Sequence, residues 1–149
     1  MRLEDELKQK KFASEFQKAL LNIQFTGNWL FSLQNKFFAQ FDLTSQQYNV
    51  LRILRGHAPE PITSASIQSR MLDKNSNVTR LLDKLINKNL ATSERNSNNK
   101  RKVDILITDD GLELLSKIDK ELSSQEAIIK KLTEDEAVQL NVLLEKLRE

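Results

Sequence analysis

Residues 72–107 constrain the fold more than any other part of this chain, because they join a helical pattern directly to an alternating one. In the first half, Val78, Leu81, Leu82, Leu85 and Ile86 recur at spacings of three and four, which puts them on one stripe of an amphipathic helix. Asp73 is placed to cap the start of that helix, and Asn89 to supply the left-handed turn at its end. In the second half, Val103, Ile105 and Ile107 alternate with residues of the other face, following a turn-prone run at 96–99. The spacing therefore predicts a short helix and then a β-hairpin.

A helix followed by a hairpin with a cationic tip is the outline of a winged helix-turn-helix. The residues facing away from the apolar stripe are Asn75, Ser76, Asn77, Thr79, Arg80 and Lys84. These are the side chains that hydrogen-bond base edges and phosphates. Taken alone, such a face is as readily a solvated surface. The hairpin tip, Lys100-Arg101-Lys102, shifts the balance, since three adjacent cations repel one another and a polyanion relieves that repulsion. Charge is also concentrated here. Residues 70–102 hold nine basic and three acidic side chains, a net +6, whereas the remaining fourteen basic and eighteen acidic give −4. Positive charge gathered on one element is what binding to a phosphate backbone requires.

Composition sets the frame. A chain of 149 residues fits one domain with helical extensions, and only 3 Gly and 2 Pro favour a mainly α fold over long irregular segments. Cys is absent, which removes disulfides and thiolate metal sites and suits a reducing cytoplasm. No apolar run approaches the roughly 20 residues that span a bilayer, and no signal-peptide pattern opens the chain. A soluble, cytoplasmic protein without membrane contact and without a cofactor is expected.

Residues 1–11 are charged and read as a frayed or loose first turn. From 12 to about 41 the pattern is one long helix carrying Phe12, Phe16, Ala19, Ile23, Leu30, Leu33, Phe37 and Phe41. At 1.5 Å per residue it would run about 45 Å, too long for a small core to cover, so a second copy of the chain is the expected partner. A kinked helix folded onto its own domain is the alternative. Thr44 and Gln47 form a capping box for the next helix, which ends near Gly56; Pro59 and Pro61 then enforce a loop. His57, the only histidine, sits in that loop with no Cys or carboxylate pair at ligand spacing. Thr63 with Ser66 caps a short helix whose small apolar face is Ala65, Ile67, Met71 and Leu72. This is the first helix of the pair, and 73–88 is the second. After the hairpin, Thr108 caps a helix bearing Leu112, Leu115, Ile118 and Leu122 that extends as far as Leu132. Thr133 and Glu136 box the last helix, with Ala137, Leu140, Leu143, Leu144 and Leu147 on one side.

Three motifs at these separations carry a family resemblance: Leu43-Thr44-x-x-Gln47-x-x-Val50-Leu51, then Asn77-Val78-Thr79-Arg80-Leu81-Leu82-Asp83-Lys84-Leu85, then Ile107-Thr108-Asp109-Asp110-Gly111. With the order of elements they make the chain resemble the MarR (multiple antibiotic resistance regulator) transcription factors over nearly its whole length. The resemblance implies a mainly α fold with a small β-hairpin wing. In it, 1–42 and 109–149 form a helical dimerisation region interwoven with a winged helix-turn-helix lobe at 43–108. It also implies that Asn75 to Arg80 enter a major groove and that Arg101 reaches the neighbouring minor groove. One position departs from the pattern. The wing commonly carries Asp-x-Arg, and here the triplet is Asn99-Lys100-Arg101, so Arg101 loses a charged partner that would hold it in place.

The expected function is sequence-specific binding of double-stranded DNA by a homodimer on a pseudo-palindromic operator, most simply as a repressor. Phe12, Phe16, Leu140, Leu143, Leu144 and Leu147 would build the dimer interface. Lys74, Lys84, Lys100 and Lys102, with the helix start at Thr63 and Ser64, would sit on phosphates; Asn75, Ser76, Asn77, Thr79 and Arg80 would read bases. The resemblance further implies a small aromatic or phenolic effector in a cleft near Trp29, Phe37, Phe38, Phe41 and Tyr48, for which ordinary core packing is the competing reading. The rival from another class is a winged-helix interaction module whose basic wing contacts an acidic surface on a protein partner. No enzyme is expected, since one His, no Cys and no glycine-rich phosphate loop leave no catalytic constellation.

Overall fold

The computed structural model describes residues 1–95, 103–122 and 130–149. In chain order the elements are α1 (Leu3–Glu6), α2 (Glu15–Ala39), α3 (Ser45–Arg55), α4 (Ser64–Arg70), α5 (Val78–Asn87), β1 (Ala91–Arg95), β2 (Val103–Ile107), α6 (Asp109–Glu121) and α7 (Glu134–Lys146). This is a mainly helical chain with an antiparallel hairpin, the winged helix-turn-helix architecture. No helix among the described residues is long and apolar enough to cross a membrane.

Helix starts follow the local chemistry closely. Thr44, Thr63, Thr108 and Thr133 are the N-caps of α3, α4, α6 and α7, each accepting a backbone N–H three residues on. Gln47 and Glu136 return the bond to the cap residue's own N–H, completing two capping boxes.

The core is built around α3. Val50, Leu51 and Leu54 are sealed there against Ile67 and Met71 of the α4 side, Leu85 of α5, Ile105 of β2, and Leu115 and Ile118 of α6. The hairpin pairs Ala91 with Ile107 at one end and Arg95 with Val103 at the other. Ile62 adds a bridge to Ile105, exchanging both backbone bonds at 3.0 Å, so the wing is anchored to the segment that leads into α4. Of the alternating residues on β2, Ile105 alone is fully buried, Ile107 is half-buried and Val103 is exposed.

Three expectations need correction. The long helix begins at Glu15, not at 12, because Ser14 caps it and the Gln17 side chain accepts the Ala13 N–H at 2.7 Å. Phe12 and Phe41 consequently lie just outside α2. Residues 1–11 are not a frayed tail: α1 forms, Leu3 is buried, and Glu4 pairs with Lys18 at 2.6 Å. Leu72 leaves the apolar face of α4 and is 84% exposed, because the chain turns extended at Met71. The extension of α6 beyond Leu122 falls partly on 123–129, outside the described residues.

Burial is uneven along the molecule. Only Phe37 and Phe38 of α2 are buried, and α7 buries no residue at all.

Candidate nucleic-acid interface

Helix α5 is held at both ends by its own sequence. At the start, Asn77 Oδ1 accepts the Arg80 N–H at 3.1 Å. At the end, Asn89 takes φ 57°, and the N–H groups of Asn89 and Leu90 return to the carbonyls of Ile86 and Leu85 at 2.9 Å. That pair of bonds is a Schellman motif, with asparagine in the place usually taken by glycine. Val78, Leu81, Leu82 and Leu85 are buried, which turns Thr79, Arg80, Asp83, Lys84 and Asn87 outward.

Asp73 is not the cap of this helix, and α5 starts five residues later than Asp73 at Val78. The Asp73 carboxylate serves the preceding turn instead. It accepts the Asn75 N–H at 2.9 Å and the Gln46 side-chain amide at 2.9 Å. The Asn75 backbone N–H, then the Ser76 hydroxyl and Gln46, hold its carboxyl below the usual carboxylate range. The candidate base-readers therefore do not all project from one helix. Asn75 is exposed in the turn, Asn77 is the cap, and Thr79 and Arg80 are on the first helical turn. Ser76 points inward and does not share the outer face: it is 7% exposed and its Oγ accepts from Gln46 Nε2 at 3.2 Å.

The candidate phosphate contacts are equally varied. Thr63 Oγ1 is engaged in its cap with Ser66, and Ser64 is exposed on the first turn of α4. Lys74 Nζ donates to the Ser69 carbonyl at 2.6 Å, at the end of α4. Lys84 is exposed beside Arg80 on a groove of about 280 Å³ that also takes in Thr44, Gln46 and Asn77. Lys88, not among the expected residues, binds Asp42 at 2.8 Å and also donates to its carbonyl, fastening the end of α5 to the α2–α3 junction. Lys100, Arg101 and Lys102 lie outside the described residues. The flanking pair Arg95 and Val103 is both strand-paired and exposed.

A separate cleft of about 480 Å³ opens between α2, α3 and α6. Of the five aromatic residues expected near it, Phe38 and Tyr48 line it, their rings stacked at 4.1 Å. Phe37 and Phe41 do not: Phe37 packs edge-on against Phe38 at 5.1 Å and against Phe41 at 5.5 Å. Trp29 lies two turns and more up α2 and takes no part in the lining. Sequence reasoning missed the polar wall, made by Gln34, Ser45, Asn49, Arg52, Arg55 and Asp119. Arg55 is paired with Asp119 at 2.6 Å, and the Arg52 guanidinium stands 6.0 Å from the Tyr48 ring. Burial, the larger effect, pushes the Tyr48 hydroxyl up, helped by Asp119 and opposed by Arg52 and Arg55. Ser45 Oγ is buried with no hydrogen-bond partner among the described residues.

Comparison with known proteins agrees with this geometry. The model of the MarR family matches residues 43–103. Among solved structures, a MarR transcription factor from Planctomyces limnophilus is 33% identical, with 91% of this chain and 98% of that chain covered and a TM-score of 0.70. A mutant MarR from E. coli, solved in complex with operator DNA, is 26% identical over 93% of this chain and 99% of that one, with a TM-score of 0.80. The HTH-type transcriptional regulator PecS of Dickeya dadantii is 27% identical over 112 residues, covering 74% of this chain and 68% of PecS. A lobe of winged-helix architecture whose residues match the family model, together with a relative one-third identical over nearly the full length, leave one assignment: the chain belongs to the MarR family of transcription regulators.

Proposed function

We propose that this chain is a sequence-specific, double-stranded-DNA-binding repressor, acting as a homodimer on a pseudo-palindromic operator and released by a small aromatic effector. The observation that carries the reading is the outer face of α5. Thr79, Arg80 and Lys84 stand exposed there, opposite the buried Val78, Leu81, Leu82 and Leu85. The E. coli relative bound to operator DNA supports naming duplex DNA as the partner.

In this reading Arg80 and Thr79, with Asn75 and Asn77 at the helix start, read base edges in the major groove. Lys74, Lys84, Lys100 and Lys102, with the Thr63/Ser64 helix start, contact phosphates, and Arg101 enters the minor groove. Homodimerisation is supported by apolar side chains that their own chain leaves uncovered: Phe16 at 89%, Leu140 at 43%, Leu143 at 64% and Leu147 at 65% exposed. Phe12 and Leu144, both half-buried, border them. Residues 1–42 and 109–149 would thus form the dimerisation region and 43–108 the DNA-binding lobe. Two lobes held this way would meet successive major grooves about 34–36 Å apart, and the bound dimer would obstruct RNA polymerase. The effector reading rests on the cleft. A stacked aromatic floor, the Arg52 guanidinium and the unpartnered Ser45 hydroxyl suit an aromatic anion. The reading assigns the chain no catalytic role.

Selection of bound duplexes from a random pool tests the proposal. The expected product is a palindrome with half-sites one turn apart, bound with strong salt dependence. A pool with no enrichment, even in dilute buffer, would overturn it and favour the protein-binding alternative.

A further inference from the structure

The seven residues at 71–77 that join α4 to α5 form no regular element. Amide side chains of the neighbouring helices give this turn its shape. Gln46, on the first turn of α3, donates through Nε2 to both Asp73 Oδ2 at 2.9 Å and Ser76 Oγ at 3.2 Å. The other Asp73 oxygen accepts the Asn75 N–H at 2.9 Å, and the Asp73 carbonyl accepts the Ser76 N–H at 3.2 Å. Three residues along α3, Asn49 Oδ1 accepts the Leu72 N–H at 3.1 Å. The grip ends at Ser76, immediately before the cap residue of α5. Ser76 is one of the two polar residues buried among those described, whereas Gln46 is half-buried and Asp73 lies at the surface.

We propose that Gln46, Asp73 and Ser76 form a lock that sets the aim of α5 on DNA, making Gln46 and Asp73 positioning residues for sequence selection. Attraction to phosphates depends on charge and tolerates a small rotation of α5. Bidentate contacts to base edges do not. Loosening the lock should therefore lower the ratio of specific to non-specific affinity while leaving general DNA affinity in place. The inference rests on the DNA-binding reading.

Charge reversal across the lock supplies the test. In Asp73→Asn the new amide presents a donor to a donor, towards Gln46 or towards the Asn75 N–H, whichever way it is turned. In Gln46→Glu two carboxylates face each other. In the double variant Glu at 46 accepts from Asn at 73 and from the Ser76 hydroxyl, restoring the bonds with reversed polarity and unchanged net charge. Affinities of the full chain are measured for a duplex selected by the wild type and for an unrelated duplex, with Tm followed in parallel.

Asp73→Asn should lose about tenfold in the specific-to-non-specific ratio, the equivalent of about 1.4 kcal/mol. It should do so although its extra positive charge favours all DNA. The double variant should recover to within about threefold, on the scale of mutational non-additivity between touching residues. If Gln46→Glu fails to fold, Gln46→Met, which also removes the donor, carries the same expectation. A wild type that selects a sequence beside an Asp73→Asn variant with an unchanged ratio would remove the inference alone. So would a double variant no better than Asp73→Asn. A wild type that binds no duplex would remove the DNA-binding reading, and this inference with it.

Discussion

Replacing Gly111 with alanine should weaken the joint where the end of α5, the hairpin and α6 meet. Gly111 is the third residue of α6, its N–H bound to Thr108 Oγ1 at 3.1 Å, and its φ is not positive. Glycine is there for room and not for backbone freedom. A Cβ at this position would stand 2.4 Å from the Leu90 carbonyl oxygen and 2.7 Å from Ile107 Cγ1. An ordinary helical Gly→Ala change gains about 1 kcal/mol. Overpacking costs about 1–3 kcal/mol. Because the obstacle is backbone, Leu90 must shift, which also endangers the bond it accepts from Thr108 N–H at 3.2 Å. A lost bond adds about 1 kcal/mol. The net loss is therefore about 1–3 kcal/mol, or a fall in Tm of about 5 °C for a chain of this size. Urea unfolding followed by circular dichroism, at one fixed chain concentration, measures it. A Gly111→Ala variant as stable as the wild type would show that the joint yields, and the steric reasoning would fail.

The two kinds of DNA contact should separate by mutation. Arg80→Ala should relax sequence preference at a cost of about 1–3 kcal/mol, whereas Lys100→Ala should weaken all sequences alike and flatten the salt slope; equal loss of both properties in both variants would contradict the division. Tyr48 is the single tyrosine, so absorbance at 295 nm reports it alone. Its ionisation should fall above the ordinary value of 10.0 because burial disfavours the phenolate. A raised pKa in the folded chain means that this contribution to stability is intact below the unfolded value and is lost as pH climbs through the folded one, in the alkaline range. A midpoint at or below 10.0 would show the ring to be solvated. Aromatic acids that enter the cleft should raise Tm; a panel without effect would leave the Phe38–Tyr48 stack as core packing.

What could be foreseen from sequence divides by distance along the chain. The caps at Thr44, Thr63, Thr108 and Thr133 were legible because each closes a bond three residues away. The left-handed Asn89 followed from the same local reasoning. Asp73 misled because two capping residues compete in that stretch, and its deciding partner, Gln46, is 27 positions distant. Ser76 looked like part of an outward face for the same reason, since nothing nearby reveals that α3 covers it. The polar wall of the cleft depends on Arg55 meeting Asp119 across 64 positions, which no periodicity encodes. Helical spacing also could not tell that Phe38 lines the cleft while its neighbours Phe37 and Phe41 do not.

The bareness of α7 has a thermodynamic consequence. Thirteen residues, none of them fully buried within their own chain, have little beyond their capping box to keep them ordered, since a lone helix of that length is marginal in water. Order in this segment and association with whatever covers it should then be a single equilibrium. Dilution would act on the protein as a denaturant does, and its melting temperature would be a function of how much of it is in the tube.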